Sequence, residues 1–386
     1  MILTEDRYLQ AFNRVGKKDK QNIFTPLKLI SEILSRITFD SNSKILVWYN
    51  VEFLLYLSIE IGLLPKNIYI YTNTKDKLIL EKQGYNVFYQ DKIDFDKISD
   101  DLKKMKFDVV LGNPPYQEKV GPKKTESLWN KFFHISIDLL KEGGYLSLIH
   151  PSGWRNITGK FKNVQTTIKS KKVNFLSIHN EKDGMETFGA ETRYDYYILQ
   201  NISCDGSEST IRFQDGETKN LVLSNMEFIP NGGIDLLNRL IAKEDEETVE
   251  LIYSRSDYGT DKNNTSKEQT DEFIYPVVYT VNYLSQPTFY YSSTNQKGHY
   301  GKPKVIWSNG RISSIGNYVD SNGEYALTQF AYAIVDTVEN LNNIKTALDS
   351  KKFKNLMELC AVGQLTVNHK VVAKFKKDFW REFIDE

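Results

Sequence analysis

Short apolar segments alternate with longer amphipathic stretches through the first part of the chain. The apolar segments have the length and the β-branched and aromatic content of strands, and the stretches between them repeat apolar residues at helical spacing. This pattern predicts strands at 44–49, 68–71, 86–89 and 107–111, with helices at 51–61, 75–82 and 96–104 between them. Such alternation is typical of a parallel sheet whose ligands bind beyond the carboxyl ends of its strands. The predicted fold class is therefore α/β, with a doubly wound, Rossmann-like sheet.

The pattern continues to about residue 200. A helix is predicted at 128–141, and the pair Gly143-Gly144 that follows has the composition of a helix C-cap. A strand at 145–149 leads into a segment with Pro151 and Trp154. Two more strands, at 173–179 and 194–200, are expected to complete the sheet.

A change of character after residue 201 indicates a second domain. Residues 204–218 are polar and contain several Gly, Ser and Asp residues. Beyond them, helices are predicted at 233–243, 341–356 and 371–383, and strands at 273–283, 288–291 and 304–307. The expected organisation is a catalytic domain at 1–219 and an α+β domain at 220–386.

The tetrapeptide Asn113-Pro114-Pro115-Tyr116, which directly follows a predicted strand, suits the methylation of an amine. An amine conjugated to an aromatic ring is a poor nucleophile, so a site has to hold its two N–H bonds while the methyl donor approaches. The Asn113 side-chain oxygen and the Pro114 carbonyl supply two acceptors, and the Tyr116 ring supplies a flat surface for a base. The two prolines stiffen the turn before any ligand arrives.

Composition narrows the classes of protein that fit. The chain has 386 residues and 40% hydrophobic content, with 50 basic and 50 acidic residues, so its net charge gives no support to a nucleic-acid partner. No segment has the length and apolarity of a signal peptide or membrane span, and the two cysteines and five histidines show no metal-ligand spacing. We therefore expect a cytoplasmic protein without a metal site.

These features together resemble the N6-adenine DNA methyltransferases of gamma type, a family of type II restriction-modification methylases. The tetrapeptide is similar to their catalytic motif, and Phe24-Thr25-Pro26 resembles the entry segment that packs over the methionine end of their cofactor. The resemblance implies S-adenosylmethionine as cofactor and double-stranded DNA as substrate. It also implies that an adenine is flipped out of the duplex between Tyr116 and a second ring, for which Phe188 is the candidate.

The cofactor side departs from that family. Its first strand usually ends in an acidic residue and a glycine-rich turn, whereas residues 47–53 here read Val-Trp-Tyr-Asn-Val-Glu-Phe and the next glycine is Gly62. The resemblance then leaves seven candidate cofactor residues: Phe24, Thr25, Pro26, Asn50, Glu52, Asn73 and Asp91. Two hypotheses are compatible with this degenerate loop: the cofactor binds through a rearranged turn, or the domain is an inactive DNA-binding partner.

The second domain resembles the target-recognition domain of the same family. Its size argues against a protein-glutamine methyltransferase, while an RNA substrate stays open because the amine site does not contact the 2′-hydroxyl. A separate restriction endonuclease or partner subunit is a further expected partner. Local basic and aromatic residues are the candidates for DNA contact: Lys123, Lys124, Arg155, Trp307 and Arg311.

Overall fold

The structure is a computed structural model that describes residues 24–73, 77–102, 104–122, 124–157, 159–261, 264–363 and 366–384. The chain forms two compact units, which divide between Phe228 and Ile229. The division lies beyond the predicted boundary at residue 220, because residues 218–221 pair with the sheet of the first unit.

The first unit is built on one nine-stranded mixed sheet with the strand order β11-β10-β8-β9-β7-β4-β1-β2-β3. Strands β3, β2, β1, β4 and β7 are parallel, and β9 runs antiparallel between β7 and β8. The strands are β1 Ile45–Trp48, β2 Ile68–Thr72, β3 Asn86–Tyr89, β4 Phe107–Gly112, β7 Leu140–Pro151, β8 Lys171–His179, β9 Tyr194–Ser203, β10 Ser209–Arg212 and β11 Thr218–Leu221. The predicted α/β class with a Rossmann-like sheet is confirmed.

The helices of this unit lie between the strands. They are α1 Leu27–Leu34, α2 Val51–Ile59, α3 Lys77–Lys82, α4 Phe95–Leu102, α5 Trp129–Leu139, α6 Lys162–Lys169 and α7 Glu181–Phe188. Helices α1 and α2 bury apolar faces against one side of the sheet, where Ile30, Leu57 and Val47 belong to one buried cluster. All four residues of β1 are buried, as expected of a central parallel strand covered on both faces.

A close approach of two backbones fixes the ends of β1 and β4. Trp48 pairs with Gly112, the last residue of each strand. A Cβ atom on Gly112 would lie 2.8 Å from the Trp48 carbonyl oxygen, and the φ angle of Gly112 is +151°. Only glycine fits this position without strain. The residue after Gly112 is therefore held beside the turn that follows β1.

One local prediction in this unit is wrong. Helix α5 ends at Leu139, and Gly143-Gly144 lies inside β7 instead of capping the helix. The register of β7 with β4 is irregular there, and a Cβ on Gly144 would lie 3.0 Å from the Asp108 carbonyl. At α1, Pro26 is the N-cap residue and no side chain caps the helix.

A small hairpin, which the sequence pattern did not predict, follows the tetrapeptide. Strands β5 Gln117–Gly121 and β6 Lys124–Ser127 pair with each other as a separate two-stranded sheet. All of its described residues are exposed or half-buried. Without a buried face, these residues lack the alternation of apolar and polar positions on which strand prediction depends.

The second unit contains two four-stranded sheets with the orders β12-β19-β16-β17 and β13-β15-β14-β18. Its strands are β12 Glu250–Ile252, β13 Thr265–Ser266, β14 Tyr275–Val281, β15 Pro287–Ser292, β16 Lys304–Ser308, β17 Asn317–Asp320, β18 Ala326–Leu327 and β19 Ala331–Val335. Its helices are α8 Ile234–Leu240, α9 Val338–Asp349, α10 Lys351–Cys360, α11 His369–Val372 and α12 Arg381–Ile384. The predicted helix at 341–356 is in fact two helices, because the Ser350 hydroxyl accepts the Phe353 N–H and starts a new one.

A buried ion pair joins β16 to β17. The Lys304 ammonium lies 2.7 Å from Asp320, and both side chains are almost fully buried. Lys304 also donates to the Lys302 carbonyl, and Asp320 accepts the backbone N–H groups of Glu324 and Tyr325. This pair explains why two charged residues stand at the ends of otherwise apolar strands.

The Gly112 contact gives a stability prediction. Gly112→Ala should lower the free energy of unfolding by about 2–4 kcal/mol, because the new methyl group meets the Trp48 backbone and the residue keeps a positive φ. Urea unfolding monitored by circular dichroism measures this directly. Gly62→Ala is the matched control, since Gly62 also has a positive φ but nothing lies within 4 Å of its added Cβ. Equal losses in the two variants would contradict the close-approach argument.

Candidate active site at the carboxyl edge of the sheet

Asn113 lies at the point where β4 leaves the sheet, beside the turn after β1. Its backbone N–H donates to the Asn50 side-chain oxygen at 2.6 Å. Its side-chain amide donates to the Thr25 hydroxyl at 3.4 Å. Both bonds are buried, and they span 63 and 88 residues of sequence. The structure thus brings three of the predicted site residues together at the carboxyl edge.

Glu52 completes this cluster. One of its carboxylate oxygens accepts the Thr25 backbone N–H at 2.8 Å and the Asn50 side-chain N–H at 3.0 Å. Glu52 is only 1% exposed, and burial raises the pKa of its carboxyl group to about 7, against the lowering effect of these hydrogen bonds. No ion pair joins Glu52 to a basic side chain within the residues that the structure describes. A buried carboxylate without a cation is an unusual arrangement.

The side-chain oxygen of Asn113 is a buried acceptor that has no hydrogen-bond partner among the described residues. Buried polar groups are nearly always paired, and an unpaired one costs about 1–3 kcal/mol. The amide nitrogen of the same side chain is bonded to Thr25, which fixes the direction of the oxygen. Asn113 therefore presents an oriented, unused acceptor, as the binding of an amine would require.

Tyr49 occupies the turn after β1, where the resemblance to the gamma-type methyltransferases leads to the expectation of glycine. Its φ angle is +64°, which is rare for a residue with a side chain and costs about 1–2 kcal/mol. Its N–H donates to the Tyr71 carbonyl, and the Asn50 N–H donates to the Trp48 carbonyl. The Tyr49 ring is buried with its edge toward Phe132. The turn thus has a backbone conformation that favours glycine, but the residue in it carries a large side chain that is buried in the protein.

Tyr116 is half-buried, and its hydroxyl is enclosed without a hydrogen-bond partner among the described residues. Burial raises the pKa of this hydroxyl, and the nearby Tyr194 and Asp195 raise it further. The ring of Tyr194 contacts Phe188 edge to face, with the centroids 4.8 Å apart. Phe188, the predicted second ring, ends helix α7 and also packs on the main core. Tyr194 thus lies near both residues predicted to hold the base.

Arg155 does not lie on the surface as a phosphate contact would require. Its side chain is fully buried and forms an ion pair with Asp195 at 2.7 Å, while the Trp154 ring N–H donates to the same carboxylate oxygen at 2.9 Å. The other oxygen of Asp195 has no partner among the described residues. The prediction that Arg155 binds DNA is therefore wrong, and its role is to neutralise a buried carboxylate behind the tetrapeptide.

The other candidate cofactor residues are less closely joined to this cluster. Phe24 is half-buried and packs on the core, and Pro26 caps α1. Asn73 follows β2, and Asp91 follows β3 by two residues, so both are at the carboxyl edge of the sheet. Asn73 is half-buried and Asp91 is exposed.

The remaining DNA-contact candidates have different positions. Lys124 is exposed on the hairpin, whereas Lys123 lies outside the described residues. Arg311 is exposed and forms an isolated backbone bridge with Thr366. Trp307 is only 1% exposed, and its ring stacks on Tyr332 in the second unit. The prediction of a groove contact by Trp307 is therefore wrong, because its place is in a core.

Several residues at the site were not predicted from the sequence. Asp195 is the clearest case, and its signal was a lone carboxylate beside the aromatic and aliphatic run at 196–199. Ser127 and Asn130 also have buried oxygens without partners in the described part of the chain, and they lie at the foot of the hairpin and in the first turn of α5. Both look like ordinary surface residues in the sequence.

The described part of the chain shows neither a metal site nor a membrane-spanning helix. No group of three or more His, Cys, Asp or Glu side chains that could hold a metal ion occurs in the described ranges. Of the helices that the structure describes, none combines the length and apolarity needed to cross a membrane.

Comparison with solved structures gives several distant matches. A type I restriction-modification methyltransferase subunit from Streptococcus thermophilus matches with 14% identity and a TM-score of 0.41, over 56% of this chain and 53% of that one. The type IIG restriction endonuclease BpuSI matches with 11% identity and a TM-score of 0.46, over 99% of this chain and 63% of that one. A nuclease-deletion mutant of the Type ISP restriction-modification enzyme LlaGI, in complex with a DNA substrate mimic, matches with 10% identity and a TM-score of 0.49, over 93% and 54%.

These likenesses are too low to carry an argument about function, and the chain spans about half the length of the first structures it matches. No curated protein matches the sequence. A family model does match, over residues 51–184, which is about a third of the chain and includes the tetrapeptide, the hairpin and Arg155. Residues 51–184 are thus similar to the Eco57I restriction-modification methylase family.

Proposed function

We propose that this protein is a site-specific DNA methyltransferase that transfers a methyl group from S-adenosylmethionine to the N6 amine of adenine, within a restriction-modification system. The family match supports methylation in such a system. The observation that carries the proposal is the buried, unpaired side-chain oxygen of Asn113. It is an acceptor held in place by two hydrogen bonds and left free on the side that an amine would occupy.

The role of the tetrapeptide follows from the chemistry of the amine. The Asn113 side-chain oxygen and the Pro114 carbonyl oxygen accept hydrogen bonds from the two N–H groups of the amine. These bonds hold the nitrogen and turn its lone pair toward the methyl donor. Because the Asn113 backbone is itself held by Asn50, the acceptor does not have to reorganise during the reaction. The proton leaves the nitrogen after the methyl group has been transferred.

The base is recognised outside the duplex. An adenine amine within a duplex cannot reach the end of a sheet, so the nucleotide has to be flipped out, which costs a few kcal/mol. Tyr116 offers a ring on which the base stacks, and Phe188 is the proposed opposite ring. Their common neighbour Tyr194 supports this pairing, because it contacts Phe188 and lies near the Tyr116 hydroxyl.

The buried cluster next to Asn113 fits the proposed cofactor. S-adenosylmethionine supplies an electrophilic methyl group on a sulfonium that carries a positive charge. Glu52 is a buried carboxylate for which the described residues offer no cation, so it suits a positively charged ligand. Thr25 and Asn50 would hold the carboxylate in place, and Asn73 and Asp91 are proposed to contact the ribose and adenine ends of the cofactor.

The second unit is proposed to recognise the DNA target, and exposed Arg311 is its candidate contact. A restriction endonuclease or another subunit is the proposed protein partner. A second candidate function, an inactive DNA-binding subunit, is favoured by one observation: the Tyr49 ring follows the turn in which related enzymes have glycine. The buried, unpaired acceptor of Asn113 favours the active enzyme.

Removal of the Asn113 acceptor should abolish most methyl transfer. In Asn113→Ala we expect the rate to fall by about 10²–10³, since one preorganised hydrogen-bonding group contributes that much. The test is N6-methyladenine mapping by long-read sequencing of host DNA after expression of the parent and of the variant. Asn42→Ala, which changes an exposed asparagine before β1, is the control. Equal modification by Asn113→Ala and the parent would refute the assignment.

Tyr116 should contribute its ring more than its hydroxyl. Tyr116→Ala should weaken capture of the flipped base by about 1–3 kcal/mol, whereas Tyr116→Phe keeps the stacking surface. Once mapping has identified the target, 2-aminopurine fluorescence at the target position measures flipping in both variants. A Phe variant as defective as the Ala variant would transfer the role from the ring to the hydroxyl.

The Glu52 carboxyl should make stability depend on pH. Its pKa is about 7 in the folded chain and 4.5 as a free group, so the folded state holds an extra proton between these values. The contribution of this group to the free energy of unfolding is therefore highest below pH 4.5. It declines as the pH rises to about 7, by up to about 3 kcal/mol. Thermal unfolding of the parent and of Glu52→Gln across this range isolates the contribution of Glu52: the stability of the parent relative to the variant should fall as the pH rises from 4.5 to about 7.

The same carboxyl should make cofactor binding depend on pH in the opposite direction. A cation binds the ionised form, so the affinity for S-adenosylmethionine should rise as the pH increases toward about 7, and this rise should be absent in Glu52→Gln. At neutral pH the variant should lose about 10- to 100-fold in affinity, which corresponds to about 1.4–2.8 kcal/mol for the lost attraction between the carboxylate and the cation. Titration calorimetry measures both effects. S-adenosylhomocysteine, which lacks the sulfonium charge, should lose less affinity and is the control ligand.

A further inference from the structure

The hairpin of β5 and β6 is attached directly to the tetrapeptide. β5 begins at Gln117, one residue after Tyr116, and β6 ends at Ser127. The root is closed by a hydrogen bond from the Leu128 N–H to the Tyr116 carbonyl oxygen at 2.9 Å. Any ligand that contacts the hairpin near its root therefore also lies close to Tyr116.

The hairpin buries too little surface to be stable by itself. It is a separate two-stranded sheet, and none of its described residues is buried. Isolated two-stranded hairpins are marginally stable in water. A protruding, solvated ribbon next to a binding site is therefore better explained by contact with a partner than by a contribution to the core.

Its charge is distributed unevenly. Residues 119–124 include three lysines and no acidic residue, whereas Glu118 and Glu126 lie nearer the root. Glu126 is already neutralised by Lys131 at 2.6 Å. Lys119 and Lys124 are both exposed. The outer half of the hairpin is therefore a positively charged tip, although the whole chain has no net charge.

The two exposed lysines lie on opposite faces of the ribbon. Lys119 pairs with Thr125, and Gly121 pairs with Lys124, the residue before Thr125. Because neighbouring residues of a strand point to opposite faces and paired residues share one, Lys119 and Lys124 point to opposite sides. Val120 falls at the register shift between these pairs and is 46% exposed. A bulge of this kind re-aims a side chain, and here it presents an apolar one at the tip.

We propose that this hairpin is a DNA-binding arm that lies in a groove next to the flipped nucleotide. Lys119 and Lys124 contact phosphates on its two sides, and Val120 packs against the sugars and base edges. The inference rests on the proposed function, which supplies the duplex. A two-stranded ribbon fits the major groove, and phosphates on both walls match cations on both faces. A protein partner would need one continuous face, which this ribbon lacks.

The test measures how DNA affinity depends on salt, which requires no methyl transfer. The probe is a short fluorescein-labelled duplex, and the variants are Lys119→Ala/Lys124→Ala and the control Lys66→Ala/Lys82→Ala. The control removes the same charge from two exposed residues near the opposite, amino edge of the sheet. Each phosphate contact adds about 0.9 to the slope of log affinity against log salt, or about eightfold in affinity at 0.1 M.

For Lys119→Ala/Lys124→Ala, the arm variant, we expect a slope that is smaller than the parental slope by about 1.8. The control variant should keep the parental slope. Equal slopes for the arm and control variants, with a parent that binds and methylates DNA, would refute the proposal that the hairpin binds DNA. The proposed function would be unaffected by that result. A parent that binds no duplex at any salt concentration would overturn both. Circular dichroism of each variant shows that the fold is unchanged.

Discussion

The hydrogen bond from the Asn113 N–H to the Asn50 side chain joins the ends of two strands, and the candidate site depends on it. At 2.6 Å and fully buried, it ties the residue after β4 to the residue that precedes helix α2. It forms only because Gly112 lets the β4 backbone approach Trp48 so closely. The side-chain nitrogen of Asn50 donates a second hydrogen bond, to the Glu52 carboxylate. One asparagine thus orients both the amine acceptor and the buried carboxylate.

The two halves of this cluster have complementary chemistry. Asn113 contributes an acceptor without charge, which suits an amine that must stay neutral to act as a nucleophile. Glu52 contributes a carboxylate whose pKa is raised to about 7 by burial, and which a cation would keep ionised. The side chains are linked through Thr25 and Asn50, so a change in the charge of Glu52 is felt by the groups that hold Asn113. In the proposed enzyme, the binding of a cation at Glu52 is therefore physically coupled to the position of the Asn113 acceptor.

Prediction from the sequence succeeded where the signal was local. The strands of the parallel sheet are short apolar runs, and the tetrapeptide stands directly after one of them, so its place at the carboxyl edge followed. The role of Arg155 was not predictable, because its partner Asp195 lies 40 residues away and the two meet only through the pairing of β7 with β9. Trp307 was misassigned for a similar reason, since its stacking partner Tyr332 lies on a neighbouring strand. The hairpin was missed because it buries no face.

The energetics of the site argue that its unusual groups are retained for a ligand. Tyr49 holds a strained backbone, and Asn113, Tyr116 and Asp195 each keep a buried polar atom without a partner among the described residues. Each such atom costs about 1–3 kcal/mol, and domains are stable by only about 5–15 kcal/mol. A fold that had lost its ligand would gain stability from almost any substitution that paired or removed these atoms. Their concentration beside one tetrapeptide is therefore better explained by the binding of a polar ligand than by a contribution to the stability of the fold.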